Sequence, residues 1–301
     1  MFSSIMKSII AVLIALAAII NVDIGLPNKP VGEKLDLSQF TLVWEDEFEG
    51  DTIDTEKWNN NQNVGGLHWG PIRRGGYWHK DMAFVNDGSL KIRTQYFDEG
   101  KDPENGYDAG YYSAQVTTKG KFQQLYGYFE VSCKLPPAQG LWAAFWMMND
   151  DVFNVDGSGE DGTEIDIFES FYYKDSWWGA GDAVSINLHY DGYDENHQGK
   201  KLGLYNIENP YDTFNTYGVE WNEDEYIFYI NGVECVRSDF GGVSKNAEYM
   251  ILSVEVGGEN GVAAGTRNGC GVIAKTPEEN WPVDFEIDYV RAYQYNHLLE
   301  S

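Results

Sequence analysis

Basic residues are scarce in this sequence. Lys and Arg number 21 against 48 Asp and Glu, which gives a formal net charge of −27 at pH 7. A surface with this charge repels nucleic acids, anionic lipids and other polyanions at long range. We therefore expect no nucleic-acid partner, and neutral or cationic ligands remain.

Cysteine is almost absent. The three cysteines, Cys133, Cys235 and Cys270, can form at most one intramolecular disulfide. No CxxC pair and no cluster of Cys with His indicates a zinc site. Cys133 lies on the apolar face of a predicted strand, so we expect it to be a small buried hydrophobic residue.

Long hydrophobic runs are also rare, since the only one is SIIAVLIALAAII at residues 8–20. This run is shorter than the roughly 20 residues of a membrane span and follows Lys7, which favours a signal peptide over residues 1–21. An uncleaved N-terminal anchor is the alternative. Residues 22–38 read as a polar leader, and no second run predicts membrane contact for the mature domain. We expect a secreted protein.

Helical periodicity is missing from the rest of the chain. Apolar and polar residues alternate with a period of two, as in YGYFEVSCKL at residues 126–135. Asn231-Gly232 separates two strand-like runs, which is the strongest short-range signal of a β-hairpin. The pattern predicts one antiparallel β-sandwich domain over residues 39–296. Its other predicted strands cover residues 89–96, 111–118, 182–190, 248–256 and 283–295.

The segment EIDIFE at residues 164–169 carries three acidic side chains in an apolar setting. Glu164 and Asp166 are two residues apart and therefore share one face of a strand. Glu169 is five residues from Glu164, so a regular strand would turn it to the opposite face. A β-bulge near Ile167 or Phe168 would bring Glu169 back to the acidic face.

Paired carboxyl groups on one strand face suit the hydrolysis of glycosidic bonds. A separation of about 5 Å supports double displacement with retention of configuration. The charge of Asp166 between Glu164 and Glu169 would raise the pKa of at least one of them, which keeps a proton available near neutral pH. A solvent-facing acidic strand is the structural alternative. A calcium loop starting at Asn154 is excluded, because its twelfth position is Ile165 where a Glu is required.

Glu164-Ile165-Asp166-Ile167-Phe168-Glu169 resembles the E-x-D-x-x-E active-site strand of glycoside hydrolase family sixteen, in its bulged, laminarinase-like branch. The resemblance implies a β-jelly-roll (concanavalin-like) sandwich of two antiparallel sheets, with a substrate cleft on the concave face. It also implies Glu164 as nucleophile, Glu169 as general acid/base and Asp166 as the residue that orients the nucleophile. Catalysis would need no cofactor. The flanking blocks that share the resemblance are WEDEF at 44–48, GYFE at 127–130, GLWAAFW at 140–146 and FEIDYVR at 285–291.

Aromatic and basic residues near these blocks are candidates for substrate binding. Trp142 and Trp146 are four residues apart and share a strand face, so they either stack on sugar rings or pack in the core. Arg74 and Trp78, in RRGGYWH, either wall one end of the cleft or belong to an ordinary surface loop. His189 either hydrogen-bonds a sugar hydroxyl or has a structural role. Trp177 and Trp178 lie in a loop beyond the catalytic strand and could reach the substrate.

A structural calcium ion is implied for many members of the family. Carried over to this chain, its ligands would be the backbone oxygens of Glu47 and Gly88 with the carboxylate of Asp288. Oxygen ligands suit this hard cation. Asp288 could equally be a plain surface charge.

The resemblance predicts a monomeric endo-hydrolase of β-1,3- or mixed β-1,3/1,4-glucan. A galactan hydrolase of the agar or carrageenan type and a transglycosylase are alternatives with the same chemistry. The acidic composition argues mildly against sulfated substrates, which would need Arg or Lys near the cleft. A non-catalytic carbohydrate-binding sandwich is a further alternative, although it would not require paired glutamates.

Overall fold

The computed structural model describes residues 27–60, 71–170, 182–263 and 281–300. The predicted signal peptide, Cys270, Trp177 and Trp178 lie outside the described residues. The only α-helix in these ranges is α1, Asn296–Leu299. The strands in chain order are β1 (Phe40–Asp46), β2 (Ile72–Arg73), β3 (Gly76–Trp78), β4 (Ala83–Asn86), β5 (Ser89–Phe97), β6 (Gly110–Ser113), β7 (Gln115–Thr117), β8 (Gly127–Lys134), β9 (Leu141–Met148), β10 (Glu164–Ser170), β11 (Ala183–Tyr190), β12 (Gln198–Asn206), β13 (Asn215–Trp221), β14 (Tyr226–Ile230), β15 (Val233–Ser238), β16 (Tyr249–Val256), β17 (Gly258–Glu259), β18 (Val262–Ala263) and β19 (Val283–Tyr295).

Two large sheets contain most of these strands. The first has eleven strands, in the order β15-β14-β13-β8-β19-β5-β6-β3-β2, with β1 paired to β19 and β4 paired to β5. The second has six strands, in the order β12-β11-β10-β9-β16-β7. The pairs are antiparallel, except that β3 and β6 run parallel. This arrangement confirms the predicted all-β sandwich of two antiparallel sheets.

Alternating side chains of both sheets fill the core between them. Val131 and Cys133 of β8 are fully buried there, as are Phe145 of β9 and Phe168 of β10. Burial of one large apolar side chain contributes about 1.5–3 kcal/mol. The inner face of the six-stranded sheet is thus fixed by packing. We call its other face, turned away from the larger sheet, the outer face.

Most predicted strands are present, and the hairpin is confirmed. Asn231 and Gly232 have φ values of 50° and 68°, as a type I′ turn requires, and they connect β14 to β15. The prediction of one strand over residues 111–118 is wrong. The chain forms β6 in the larger sheet and β7 in the smaller one, because it passes from one layer to the other at Ala114.

Part of the predicted polar leader lies across the sheet edges. Asn28 donates its N–H to the Leu204 carbonyl of β12 at 2.7 Å, and Gly32 donates to the Glu234 carbonyl of β15 at 3.0 Å. β12 and β15 are edge strands of the two sheets. Edge strands present unpaired N–H and C=O groups, and this segment satisfies some of them.

The two cysteines in the described residues are not bonded to each other. Cys133 is buried and Cys235 half-buried, and both are free thiols. Among the described residues, no helix is long and apolar enough to cross a membrane.

Candidate active site

The three acidic residues of β10 lie on the outer face because the strand contains a bulge. The register of β10 shifts against β9 between Asp166 and Phe168, and against β11 between Asp166 and Glu169. Ile167 and Phe168, which are consecutive, both enter the core and are at most 1% exposed. This pair of inward residues returns Glu169 to the face of Glu164 and Asp166. The predicted bulge is therefore confirmed.

Neighbouring strands surround these carboxyl groups with polar and aromatic side chains. Glu164 lies opposite His189 of β11 in the ladder. Asp166 lies opposite Asn187 of β11 on one side and Trp146 of β9 on the other. The backbone ladder, which side-chain packing beneath it holds in place, therefore orients the acidic cluster.

Glu169 is almost completely buried, with 9% of its surface exposed. The Asn187 side-chain amide donates to Glu169 Oε2. The same amide also contacts the Ser185 hydroxyl at 3.1 Å. The Trp142 side chain provides a further hydrogen bond to Glu169. These partners come from β11 and β9, so both neighbouring strands hold this carboxyl group in place.

Glu164 and Asp166 form a compact group with His189. One ligand atom from each of the three residues lies within 4.8 Å of the others. The Tyr193 hydroxyl donates to Glu164 Oε2, and His189 Nε2 lies 3.3 Å from Asp166 Oδ2. The three side chains therefore form a compact polar cluster on the outer face.

Burial shifts the ionisation of all three carboxyl groups. It raises the pKa of Glu164 to about 8, and the nearby charge of Asp166 adds to this shift. Burial also raises the pKa of Glu169 well above its ordinary value, with further contributions from the charges of Asp166 and Glu164. Burial likewise raises the pKa of Asp166. The cluster therefore retains a proton at neutral pH, as the clustered charges of the sequence predict.

An aromatic ring and two arginines lie near the acidic cluster. Trp142 is half-buried, and the Arg74 guanidinium carbon lies 4.2 Å from the centroid of its ring. Arg73 and Arg74 both form ion pairs with Glu255, which is buried. The structure brings Trp142 and Arg74 together here, and their contact with a substrate stays a prediction. The arginines place positive charge next to the acidic cluster.

Trp146 and Trp78 are less accessible than the sequence suggests. Trp146 is 7% exposed, and its indole N–H donates to the Ser253 hydroxyl at 3.1 Å, so little of its ring can face a sugar. Trp78 is 1% exposed and donates to the Val254 carbonyl at 2.7 Å. The prediction that Trp78 walls a cleft is wrong, because strand β3 holds this ring beneath Arg73.

His189 does not present a free ring nitrogen to a sugar. Its Nε2 faces Asp166, and its Nδ1 lies 2.8 Å from Nε2 of His197. These contacts agree better with a structural role of His189 than with a hydrogen bond to a sugar hydroxyl.

Four further residues, Asn187, Tyr193, His197 and Glu255, belong to the site although the sequence patterns do not single them out. Asn187 could have been found, since it lies two residues before His189 and alternation places both on one face. Tyr193 and His197 lie in the connection between β11 and β12, where residue patterns do not predict side-chain positions. Glu255 pairs with arginines far away in sequence, and no local pattern predicts such a contact.

Glu47, Gly88 and Asp288, the residues predicted as calcium ligands, lie close together where β1 and β5 pair with β19. β1 ends one residue before Glu47 and β5 begins one residue after Gly88, and the two strands pair with β19 on either side of Asp288. The Glu47 carboxylate binds Arg291 with an Oε1–Nε distance of 2.7 Å. Asp288 accepts a hydrogen bond from the Ser132 hydroxyl at 3.2 Å. A carboxylate and two backbone carbonyls are the ligand types that calcium prefers.

Two glutamates with an aspartate between them on one face of a strand match the pair of carboxyl groups that glycoside hydrolysis requires. Comparison with known proteins agrees. A family model described as Beta-porphyranase A-D, GH16 domain, matches residues 42–295. The chain belongs to glycoside hydrolase family sixteen, and its sandwich is the jelly-roll of that family.

Curated relatives and solved structures agree with this membership. The chain is 27% identical over 295 residues to Glucan endo-1,3-beta-glucosidase A1 of Niallia circulans, covering 91% of this chain and 40% of that protein. It is 32% identical over 214 residues to Endo-1,3-1,4-beta-glycanase ExsH of Rhizobium meliloti, covering 69% and 39%. The chain thus spans about two fifths of these relatives. The structure of the catalytic domain of an endo-1,3-beta-glucanase (laminarinase) from Thermotoga petrophila superposes with a TM-score of 0.64 at 27% identity, covering 85% of this chain and 98% of that one.

Proposed function

We propose that this chain is a retaining endo-hydrolase of β-1,3- or mixed β-1,3/1,4-glucan. The observation that carries the proposal is the bulge of β10, which places Glu164, Asp166 and Glu169 on one face. The names of the glucan-hydrolysing relatives support the substrate. Trp142 supports it as well, because its half-buried ring offers an apolar surface to the C–H face of a sugar.

The reaction follows from the two glutamates in two steps. Glu169 donates its proton to the glycosidic oxygen while the Glu164 carboxylate attacks the anomeric carbon and the leaving sugar departs. Glu169 then removes a proton from water, and the water oxygen displaces Glu164, which restores both groups. The raised pKa of Glu169 supports its role as the acid. A sugar hydroxyl in place of the water would give transglycosylation.

A side-by-side digestion tests the substrate. Laminarin and lichenan are incubated with the chain, and the products are sized over time. We expect an early fall in polymer length with a series of oligosaccharides, as internal cleavage requires. Products of one size only would contradict endo action, and loss of neither polymer would contradict the glucan assignment. The double variant Glu164→Ala/Glu169→Ala is the control for contaminating activity.

A sulfated galactan is the second candidate, and two observations favour it. The matching family model is described as a β-porphyranase domain. Arg73 and Arg74 also place positive charge beside Trp142, although the acidic composition argues against sulfated substrates. Arginine binds sulfate through paired N–H groups. Agarose, carrageenan and porphyran are therefore included in the same digestion, and cleavage of porphyran alone would select this candidate.

The variant Asp166→Asn is expected to shift the activity of the chain toward lower pH. The Asp166 charge raises the pKa of both Glu164 and Glu169, so its removal lowers both values. Activity requires a charged Glu164 and a protonated Glu169, and the alkaline limb of kcat/KM reports the loss of the latter proton. We expect this limb to move down by about one pH unit. Asp224→Asn, on the exposed surface, is the control, and an unmoved limb in Asp166→Asn would contradict the coupling.

We also propose a structural calcium ion held by the carbonyls of Glu47 and Gly88 and the carboxylate of Asp288. It would bind the ends of β1 and β5 to β19. Removal of calcium with EDTA is then expected to lower the Tm by about 5 °C, and added calcium should restore it. Asp288→Asn should make the Tm insensitive to EDTA. Equal responses of the parent and Asp288→Asn would contradict the site.

We also propose that the protein is exported and monomeric. The apolar run at residues 8–20 supports a signal peptide, and N-terminal sequencing of the protein from culture medium tests its cleavage. Light scattering of the purified protein measures its mass in solution.

A further inference from the structure

Two histidines form a chain of contacts that leads away from the acidic cluster. His189 Nε2 lies 3.3 Å from Asp166 Oδ2, and His189 Nδ1 lies 2.8 Å from His197 Nε2. The two imidazole rings lie with their centroids 4.9 Å apart. Asp166 is 3% exposed, whereas His197 is half-buried at the surface. The two rings therefore connect a buried carboxyl group to solvent.

A glycine opposite the pair keeps the space that both rings occupy. Gly199 of β12 is the ladder partner of His189. A Cβ atom on Gly199 would lie 2.6 Å from His189 Nδ1 and 3.1 Å from His197 Cε1. Such distances are too short for undisturbed contact. Any larger residue at position 199 would displace the imidazoles. The glycine of β12 therefore leaves the space in which the two rings pack.

The short contact between the rings constrains their protons. A hydrogen bond between two imidazoles needs one N–H donor and one nitrogen acceptor. With Asp166 ionised, the Nε2–H of His189 lies 3.3 Å from Asp166 Oδ2 as an ion-pair contact, and His189 Nδ1 accepts from His197 Nε2–H. When Nδ1 of His197 takes a proton from water, its Nε2 proton can pass to Nδ1 of His189. The Nε2 proton of His189 then passes across the 3.3 Å contact to Asp166 Oδ2, so one proton is taken up and the hydrogen bond between the two rings is kept with its direction reversed.

Other ionisable groups lie near the pair on β10, on β12 and in the connection between β11 and β12. Glu164 joins Asp166 on β10, and the Tyr193 ring lies 6.0 Å from that of His197. Lys201, two residues after Gly199, is the ladder partner of Asn187. Burial and the neighbouring His189 lower the pKa of His197, which favours the neutral form of this ring.

We propose that His197 is a positioning residue that acts through His189, and that the two rings transmit proton uptake at the surface to Asp166. Because Asp166 influences Glu164 and Glu169, the pair would set the pH range in which the proposed catalytic groups have their working charges. The effect on catalysis rests on the proposed function. The transfer of the proton does not, since it depends only on contacts of the free protein.

Imidazole titration tests the transfer without any activity. NMR follows the ring signals of His189 and His197 against pH, assigned with His189→Gln and His197→Gln. We expect both rings to respond to one shared titration in the parent and to shift by about one pH unit in Asp166→Asn. Independent titrations that are unchanged in Asp166→Asn would overturn the proposal, whatever the activity of the chain.

Kinetic variants test the consequence for the site. His197→Leu and Gly199→Ala are expected to change the pH dependence of kcat/KM, with its acid and alkaline limbs each displaced by about one pH unit from those of the parent. His197→Gln keeps a donor to His189 but cannot take up a proton, so its profile should follow that of His197→Leu. A parent-like profile for His197→Gln would overturn the proposal, because a hydrogen bond alone would then be sufficient. Gly203→Ala, in the same strand and directed at the Tyr205 ring, is the matched control.

Discussion

Glu164→Ala is expected to abolish hydrolysis, with a loss of about 10⁴-fold or more in kcat. The carboxylate at this position is proposed to form the bond to the anomeric carbon, so its removal takes away the nucleophile. Azide or formate should restore turnover of a substrate with an activated leaving group, because the shortened side chain leaves room for a small anion. The rescued azide product should have the α configuration, which NMR of its anomeric proton measures.

The control for this variant is Glu160→Ala. Glu160 lies four residues before the proposed nucleophile. It is exposed and forms an ion pair with Lys245 at 2.7 Å. The Glu160→Ala variant carries the same chemical change outside the site, and it should hydrolyse the polymer at the parent rate. If Glu164→Ala kept more than about a tenth of the parent activity, its assignment as nucleophile would be wrong.

Glu169→Ala is expected to show a loss that depends on the leaving group. For a polysaccharide, loss of the proton donor should lower kcat by about 10²–10⁴-fold. An aryl glycoside with a good leaving group needs little protonation, so its cleavage should be much less affected, and the covalent intermediate should accumulate. Azide should then attack that intermediate and give a product of β configuration.

The two azide products together separate the roles of the glutamates. An α product from Glu169→Ala, or a β product from Glu164→Ala, would mean that the roles are exchanged. Glu169→Gln is a useful second variant, since it keeps the size of the side chain and its contact with Asn187 but cannot donate an acidic proton. Its kinetics should agree with those of Glu169→Ala, and parent-like rates would contradict the acid role.

The acidic strand is the part of the site that sequence patterns predict best. Spacing alone predicts that Glu164 and Asp166 share a face, and only a bulge can add Glu169 to that face. The apolar Ile167 and Phe168 indicate where the extra residue enters the core. This prediction succeeds because all the constraints act within six consecutive residues of one strand.

The surroundings of the strand are predicted less well. Alternation assigns a residue to a face, but it does not show what covers that face. Trp78 illustrates the limit, since its ring is buried beneath Arg73 although the Gly-rich sequence around it suggests a surface loop. Trp146 has the predicted face, yet its neighbours on β16 cover most of its ring.

The amino-acid sequence by itself determined the all-β class, the hairpin at Asn231-Gly232 and the bulged strand with its three carboxyl groups. Each of these depends on residues that are close together along the chain. Only the tertiary structure decided the ion pairs of Glu255 with the arginines and the contact of His189 with His197. These contacts depend on which strands become neighbours and on how the connections between strands fold over the sheet. The physical reason is that local spacing fixes the direction of a side chain, whereas its partner is chosen by the packing of the whole sandwich.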